Sequence, residues 1–464
     1  MVSNGIEIAK RALLANKYAM DVIGHNIANV NTEGYSRQRV ELATSDPVSI
    51  PVINKNKPMA SLGTGVQLQK ITRFRDDFLD AQKRDVTRDY GRWEQEAANY
   101  TVIEGIINEP SDLGLSSDMN KFWNSWQALA NPDPSDVGAR SAVQSQASIM
   151  AQSMRETRRQ LVDLQVNNDK DIELKVEKIN QLASQIAAFN GQIVETEAAS
   201  SANDLRDSRN KIVTDLSKLI NLEYYENSNG SSTIAIGGAF LVSDRYVNNL
   251  AIMSNASNKG YNDVVWENNG DNVAIDGGEI YGLIKSRDVN VQGFVEHLDA
   301  MASMIINRVN NIHTTGYDMN GELGGNFFEG TNASDIALND EISFNLSKIA
   351  SAGSKLAVAG DGDNALLLAG LRNDLVFDSN STNIDEYYQN LVSSLGTNSS
   401  EVNTFLSTTN SLLQQVDKQI NSVSGVSIDE EMAEMIKFEH AYNAAAKYIS
   451  TINGTLDTLM GMLR

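Results

Sequence analysis

The two ends of the chain carry the same seven-residue periodicity, and this constrains the fold more than any other feature. Near the start, Ile6, Leu13, Met20 and Ile27 recur every seven residues, with Val2, Ala9, Asn16 and Ile23 interleaved. That is the a/d pattern that keeps one apolar seam against a partner helix. At the other end Met435, Tyr442, Ile449, Leu456 and Leu463 continue a step begun at Ile428, with Met432, Glu439, Ala446, Asn453 and Met460 as a second, more polar track. One such helix fits on any core. Two of them at opposite termini, where chains fray unless tied down, predict long terminal helices that form a coiled coil.

Between the ends the pattern is helical with one interruption. Residues 73 to 108 and 137 to 166 are rich in Ala, Gln, Arg and Glu. From Asp169 to Thr196 a third heptad runs through Ile172, Ile179, Ile186 and Ile193. "NEPSDLG" and "ANPDPSD" break the helices, "GTNSSE" at 396 to 401 predicts a further break, and "GTGVQL" near residue 63 predicts a turn. Near residue 222 short β-type runs begin, punctuated by Asn229-Gly230, Gly237-Gly238, Asn269-Gly270 and Gly277-Gly278, which are hairpin signals. The expected fold is mainly α with a β-rich insert: a helical-bundle body, a small outer β domain and the terminal coiled coil. The expected units are 1–75, the N-terminal helix and its exit loop; 76–221, a helical body; 222–284, the β-rich module; 285–424, the body continued; and 425–464, the C-terminal helix.

Composition narrows the function. At 464 residues the chain is long enough for roughly two to four domains. Its net charge of −22 argues against nucleic acid and against an anionic membrane surface. With no cysteine, disulfides, thiolate catalysis and cysteine-held metals are excluded. The start has no basic region followed by an unbroken apolar run, and no apolar run reaches the roughly 18 residues of a membrane span. The four histidines, His25, His297, His313 and His440, show no metal-ligand spacing. Asp318, Asn320 and Glu322 alternate as in a calcium loop, but Gly321 comes too early for one, and a turn fits better. No nucleophile–base pair stands out, so no enzyme activity, metal or cofactor is expected.

The stretch "NIANVNTEGYSRQ", residues 26 to 38, then becomes informative. It resembles the N-terminal signature of the axial proteins of the bacterial flagellum. Its Gly-Tyr-Ser-Arg-Gln form is similar to that of the family's hook-associated members. "NDLRDSRNKIVTDLSKLINLE", "GYDMNGELGGNFF" and "SGVSIDEEMAEMIKFEHAYNAAAKYISTINGTLDTLMGML" are similar to blocks of the same family. Glu439-His440 departs from the family's usual Gln and Arg, and the stretch from 330 to 380 is short, which suits a compact member. The resemblance implies a structural subunit at the junction between hook and filament, needed for filament assembly and located outside the cell. It implies export through the flagellum's type III apparatus without a cleaved signal peptide. The implied partners are copies of itself in a ring, the hook protein, a second junction protein and a flagellar export chaperone.

It also implies an assembly interface built from Ile6, Leu13, Met20, Ile27, Asn29, Thr32, Gly34, Tyr35, Arg37, Met435, Tyr442, Ile449, Leu456 and Leu463. Both ends are then expected to be disordered in the isolated chain and to fold against neighbours. Because many copies with a net charge of −22 must come together, the cations Arg37, Arg39, Lys70, Arg73 and Arg75 are expected to meet carboxylates of adjacent subunits, for instance Glu430, Glu431 or Glu434. A flagellin-like filament subunit is the nearest alternative, and the GYSRQ block and the C-terminal block speak against it. A secreted adhesin or ligand-binding protein would not need heptads at both termini. A hydrolase acting on peptidoglycan or protein would need a pair of acid/base carboxylates in a pocket.

Overall fold

In the computed structural model, residues 2–50, 60–131, 133–377 and 380–462 are described. The chain begins with α1 (Val2–Ala28), which enters a loop and then an antiparallel ribbon of β1 (Gln38–Thr44) and β4 (Val66–Arg73). Outside that pair β2 (Val48–Ile50) joins β3 (Ala60–Leu62). The ribbon differs from the expected loop and turn. Its strands read QRVELAT and VQLQKITR, an alternation of period two that marks a strand with two unlike faces.

The body follows as α2 (Asp77–Ile107), α3 (Leu115–Ala130), α4 (Val137–Glu197) and α5 (Asn203–Leu219). Asp76 and Asp136 cap α2 and α4, each carboxylate accepting from two free N–H groups of the first turn. The two helical stretches expected between 137 and 196 are one helix of 61 residues, about 90 Å long at 1.5 Å per residue. Strands β5 (Glu223–Glu226), β6 (Ser232–Ile236), β7 (Ala239–Ser243) and β8 (Tyr246–Val247) form an antiparallel meander, beside a hairpin of β9 (Leu250–Ser254) and β10 (Asn262–Trp266). Then come α6 (Gly278–Lys285), a π-helical turn (Ser286–Val291), α7 (Gln292–His313), the short pair β11 (Phe328–Glu329) and β12 (Ala337–Leu338), α8 (Asp340–Phe344) and α9 (Asp363–Gly370). The chain ends with α10 (Ile384–Ser424) and α11 (Ile428–Met462). Asn383 and Glu386 close a capping box at the start of α10, and the helix runs straight through the GTNSSE stretch. Val402 is buried in the core just after that stretch, so packing overrides the weak local propensity.

Helix α4 spans two apolar cores. Its first half packs Val143, Met150, Met154 and Leu161 with Phe122, Trp126, Leu298, Ile305 and Phe327. Its second half packs Ile172, Ile179 and Ile186 with Val213 and Leu216 of α5, and with Ile234, Leu241, Val242 and Trp266 of the strands. The β-rich insert is therefore present but does not fold apart from the helices. Its inner face is the other wall of the core that covers the third heptad. Arg209, fully buried, ties the two together by donating to Asn190 on α4 (3.0 Å), to the carbonyl of Gly230 (2.7 Å) and to Tyr224 (3.0 Å). At Gly91 the backbone of α2 comes so close to the carbonyl of Lys218 on α5 that a Cβ has no room.

The terminal helices α1 and α11 pack together, antiparallel. A Cβ on Gly5 would lie 2.9 Å from Ile452, while Asn26 bonds Glu431 at the other end of the pair. On α11 the half-buried apolar positions are Met435, Phe438, Tyr442, Ala445, Ile449, Ile452 and Leu456, spaced by three and four. The second track expected from sequence (Met432, Glu439, Ala446, Asn453, Met460) is solvent-exposed, and Phe438, Ala445 and Ile452 replace it. On α1 the fully buried apolar side chains are Ala9, Ala15, Ala19 and Ile23, small enough to let the helices approach, with Ile6, Leu13, Met20 and Ile27 half-buried beside them. Both ends are thus helical and paired within one chain, where the resemblance implies disorder without neighbours. Leu463 lies outside the described residues.

Two outcomes follow from this packing. Deleting residues 223 to 275 with a short Gly/Ser bridge exposes the α4–α5 wall of the second core, so helical circular dichroism is expected to fall and the thermal midpoint to drop; an unchanged midpoint would show an independent module. His313 is fully buried, its Nδ1–H donating to the Gly325 carbonyl (2.7 Å) and its Nε2 accepting from the Ala350 N–H (2.9 Å). Burial pushes its pKa down to about 4, against about 6.5 in an unfolded chain. The unfolded state therefore binds the extra proton first, and the stability present above pH ~6.5 is lost as pH falls towards ~4. Replacing His313 by Asn is expected to flatten the decline of the thermal midpoint between pH 7 and pH 5.

Candidate assembly site at the root of the terminal helices

The residues that set the site lie near positions 26–38, 73–80, 203–211 and 424–431, remote in sequence and adjacent in space. Its centre is Asn26, in the last turn of α1 and 1% exposed. Its Nδ2 donates to the Gln38 carbonyl (2.9 Å) and to Glu431 Oε2 (2.8 Å), and its Oδ1 accepts from the Gln38 N–H (3.0 Å) and from the Tyr35 hydroxyl (2.8 Å). A primary amide offers two donors and an oxygen with two lone pairs, so Asn26 is fully satisfied. Neither Asp nor Leu can reproduce that set. These bonds fold the exit loop back on α1 and join it to the first turn of α11.

Tyr35 is half-buried beside Asn26, and its oxygen also accepts from His25 Nδ1 (3.0 Å). Burial, followed by the charges of Asp204, Asp207 and Glu431, pushes its pKa up, so it remains a protonated donor. Arg37 reaches the start of α11, pairing with Glu431 (2.6 Å) and Glu430 (2.9 Å), while its N–H donates to the Ser424 carbonyl at the end of α10 (2.9 Å). Glu431, only 2% exposed, is thus held by a guanidinium and an amide. The pairing expected between Arg37 and an adjacent subunit is made inside the chain, because the loop brings Arg37 over the α10–α11 joint.

The other half of the site is the N-terminal part of α5, the NDLRDSR stretch. Asp207 is buried and accepts from the Ser36 N–H (2.8 Å), the Ser36 hydroxyl (3.0 Å), Arg73 (2.6 Å) and Arg75 (3.2 Å). Gln38 donates to Asp204 (2.7 Å), Asn203 donates to Gln38 Oε1 (3.0 Å), and Lys211 pairs with Glu33 (2.6 Å). Arg75 also holds Asp80 on α2. The exit loop is therefore clamped on one side to the terminal pair and on the other to the body.

Of the sequence-named residues, Tyr35 and Arg37 take part directly, and Gly34 sets the turn with φ +82. Asn29 bonds the His25 carbonyl (3.0 Å) and Thr32 bonds Asn29 (3.2 Å), which shapes the loop. Ile6, Leu13, Met20, Ile27, Met435, Tyr442, Ile449 and Leu456 lie along the helices beyond the clamp. Sequence reasoning missed the roles of Asn26, Ser36, Gln38, Asp204 and Asp207, and it named Glu431 as a partner of Arg37 but across a subunit boundary, where the pair lies within one chain. The signal for Asn26 was a polar residue among Ile23 and Ile27 on a helix otherwise closing an apolar stripe. Nothing near Asp207 points to its partners 130 or more residues away.

The chain is 31% identical over 502 residues to flagellar hook-associated protein 1 of Bacillus subtilis (strain 168), covering 98% of this chain and 97% of that one. The chain belongs to the flagellar hook-associated protein 1 family. Flagellar hook-associated protein 1 of Salmonella typhimurium is 23% identical over 565 residues, covering 99% and 100% of the two chains. Residues 100–328 match the family described as flagellar hook-associated protein FlgK helical domain, 6–35 the flagella basal body rod protein family, and 419–462 the C-terminal family of flagellar basal body rod FlgEFG proteins. The two rod-type matches cover the terminal pair. The flagellar hook junction protein FlgK from Burkholderia pseudomallei shares the fold at a TM-score of 0.62 and 16% identity, over 74% of this chain and all of that one. Members of this family are structural components of the flagellum, not enzymes, and this chain is one of them.

In keeping with that role, the acidic loop at Asp318 is closed on itself. Its carboxylate accepts from the N–H groups of Asn320 (2.8 Å) and Glu322 (3.0 Å) and pairs with Lys348 (3.3 Å). Among the described residues no helix is long and apolar enough to cross a membrane. Replacing Asn26 by Ala is expected to raise hydrogen exchange of the α1 and α11 amides by roughly tenfold or more, because it strands the buried Glu431 oxygen and the Gln38 backbone. The α3 amides should not change; equal loosening of both regions would place Asn26 in the general core instead.

Proposed function

We propose that this chain is a junction subunit standing between hook and filament, where copies of it form a ring through their terminal helices. The supporting observation is the state of the α1–α11 pair. Its inner seam is only partly closed, and its outer faces carry Leu14, Tyr18, Ile428, Met432, Ile436, Leu459 and Met460, each 45% exposed or more. A helical hairpin this apolar on the outside is an assembly element, since uncovered patches of this kind mark interaction surfaces. The clamp at its root gives that element a fixed direction relative to the body, as a subunit in a regular layer requires.

On this reading the half-buried residues Ile6, Leu13, Met20, Ile27, Met435, Tyr442, Ile449 and Leu456 hold the hairpin closed. The outward residues meet neighbouring copies, with hook protein on one side of the layer and a second junction protein on the other. Delivery by a flagellar export chaperone, without a cleaved signal, completes the proposal. Family membership and the two rod-type matches at the ends support it.

The test is complementation of a strain lacking the gene. Hooks without filaments are expected in the deletion, and filaments in the strain given the parent gene. Ile436→Asp with Leu459→Asp puts two charges on the outer face without touching the seam. This variant is expected to be exported and to leave hooks bare, because desolvating those charges opposes packing. Normal filaments from the double variant, or filaments in the deletion strain itself, would contradict the reading.

A further inference from the structure

Beside the clamp lies a groove of about 1490 Å³, walled by β4, the first turns of α2, the α4–α5 connection, α5 and β5. It exceeds the ~300–1,000 Å³ of an ordinary small-molecule pocket and is open along one side, dimensions that suit a segment of polypeptide. Its cations are almost all engaged. Arg73 and Arg75 hold Asp207, Arg75 also holds Asp80, and Arg206 bonds Glu197 (2.5 Å) and Glu226.

Arg84 is the exception. It projects from α2 into the groove half-buried, its guanidinium 4.8 Å from the centre of the Tyr224 ring, and among the described residues it has no hydrogen bond and no carboxylate within 4 Å. Arg39, Arg140, Arg155 and Arg308 also lack an ion pair among the described residues, but Arg39 and Arg308 are exposed to solvent, while Arg140 and Arg155 donate to backbone carbonyls. Burial pulls the Arg84 pKa down, as it does for any charge drawn out of water without full compensation.

A guanidinium stacked on an aromatic ring keeps its in-plane N–H donors free, and their best acceptor is a carboxylate held by two parallel bonds. We propose that this groove is a second contact between subunits: it receives a carboxylate-bearing segment of a neighbouring copy of this chain, with Arg84 as its anchor. The chain itself supplies the complementary charge, carrying 60 acidic against 38 basic residues. A surface with that excess repels its own copies, so an unpaired cation in a chain-sized groove is where a neighbour's carboxylate is attracted. The inference rests on the reading above that copies meet in a layer.

The absence of cysteine allows a direct test. A Ser228→Cys variant places a unique thiol in the groove wall. It is loaded with a thiol-anchored photo-crosslinker on flagella assembled in the complemented deletion strain, and the products are read by mass spectrometry. Cross-links to an Asp- or Glu-containing segment of a second copy are expected, falling about tenfold when Arg84→Gln is added and largely kept with Arg84→Lys. An Arg84→Gln chain with the parent's thermal midpoint and export level establishes that the fold is intact. Cross-links confined to one chain, cross-links to hook protein or to another flagellar protein, or a yield indifferent to Arg84→Gln would overturn the proposal. Labelling the same cysteine with a fluorophore separates this from the broader reading: no label at hook tips would overturn both, whereas label at hook tips without the cross-link overturns only the groove.

Discussion

The buried carboxylate of Glu431 governs how the rest of the molecule is arranged. A carboxylate this far out of water is tolerated only with charged and hydrogen-bonding partners in place, and here both come from the other end of the chain. Arg37 supplies the charge at 2.6 Å and Asn26 an amide hydrogen at 2.8 Å. Satisfying one side chain therefore requires that residue 26, residue 37 and residue 431 meet. That closes the chain upon itself and sets the antiparallel direction of α1 and α11. It also positions the exit loop so that Ser36 and Gln38 face α5, where Asp207 and Asp204 take them up.

The apolar seam and the polar clamp divide the work. The seam, with alanines on α1 facing Met435, Phe438, Tyr442 and their successors, favours pairing but specifies direction poorly, since heptad stripes pack in more than one register. The clamp has few geometries that satisfy all its donors and acceptors, so it selects one. The body, with two cores strung along the 61 residues of α4, is the platform to which the clamp is fastened. The outer apolar face of the hairpin and the groove at Arg84 are then presented at defined places on that platform, as the proposed contacts between copies require.

Local periodicity made the elements legible, while long-range satisfaction of polar groups stayed hidden. The terminal heptads could be read because a seam repeats, and the track through Met435, Tyr442, Ile449 and Leu456 lies on it. The second track was misplaced by one position, because Glu439 and Asn453 follow Tyr442 and Leu456 by −3 while the half-buried Phe438 and Ile452 follow by −4. The β-rich insert was legible from its Gly-punctuated runs, but its shared core with α4 and α5 depends on pairing between residues 172–186 and 234–266, which no local pattern announces. Tyr35 and Arg37 came from the quoted motif. Glu431 was named as a partner of Arg37 but assigned to a neighbour, while the bonds of Asn26 and Asp207 were legible only once distant motifs stood side by side.

The clamp holds the terminal hairpin in one direction relative to the body within a single chain. Because the chain has no cysteine, spin labels can be placed at Lys17→Cys on α1 and Asp171→Cys on α4, both exposed. The distance distribution between them in the unassembled protein, by pulsed electron spin resonance, measures that direction. A single narrow distance is predicted for this doubly labelled chain, broadening when Asn26→Ala is added. A broad distribution already present with Asn26 intact would contradict the account, and would mean that neighbours, not the clamp, orient the hairpin.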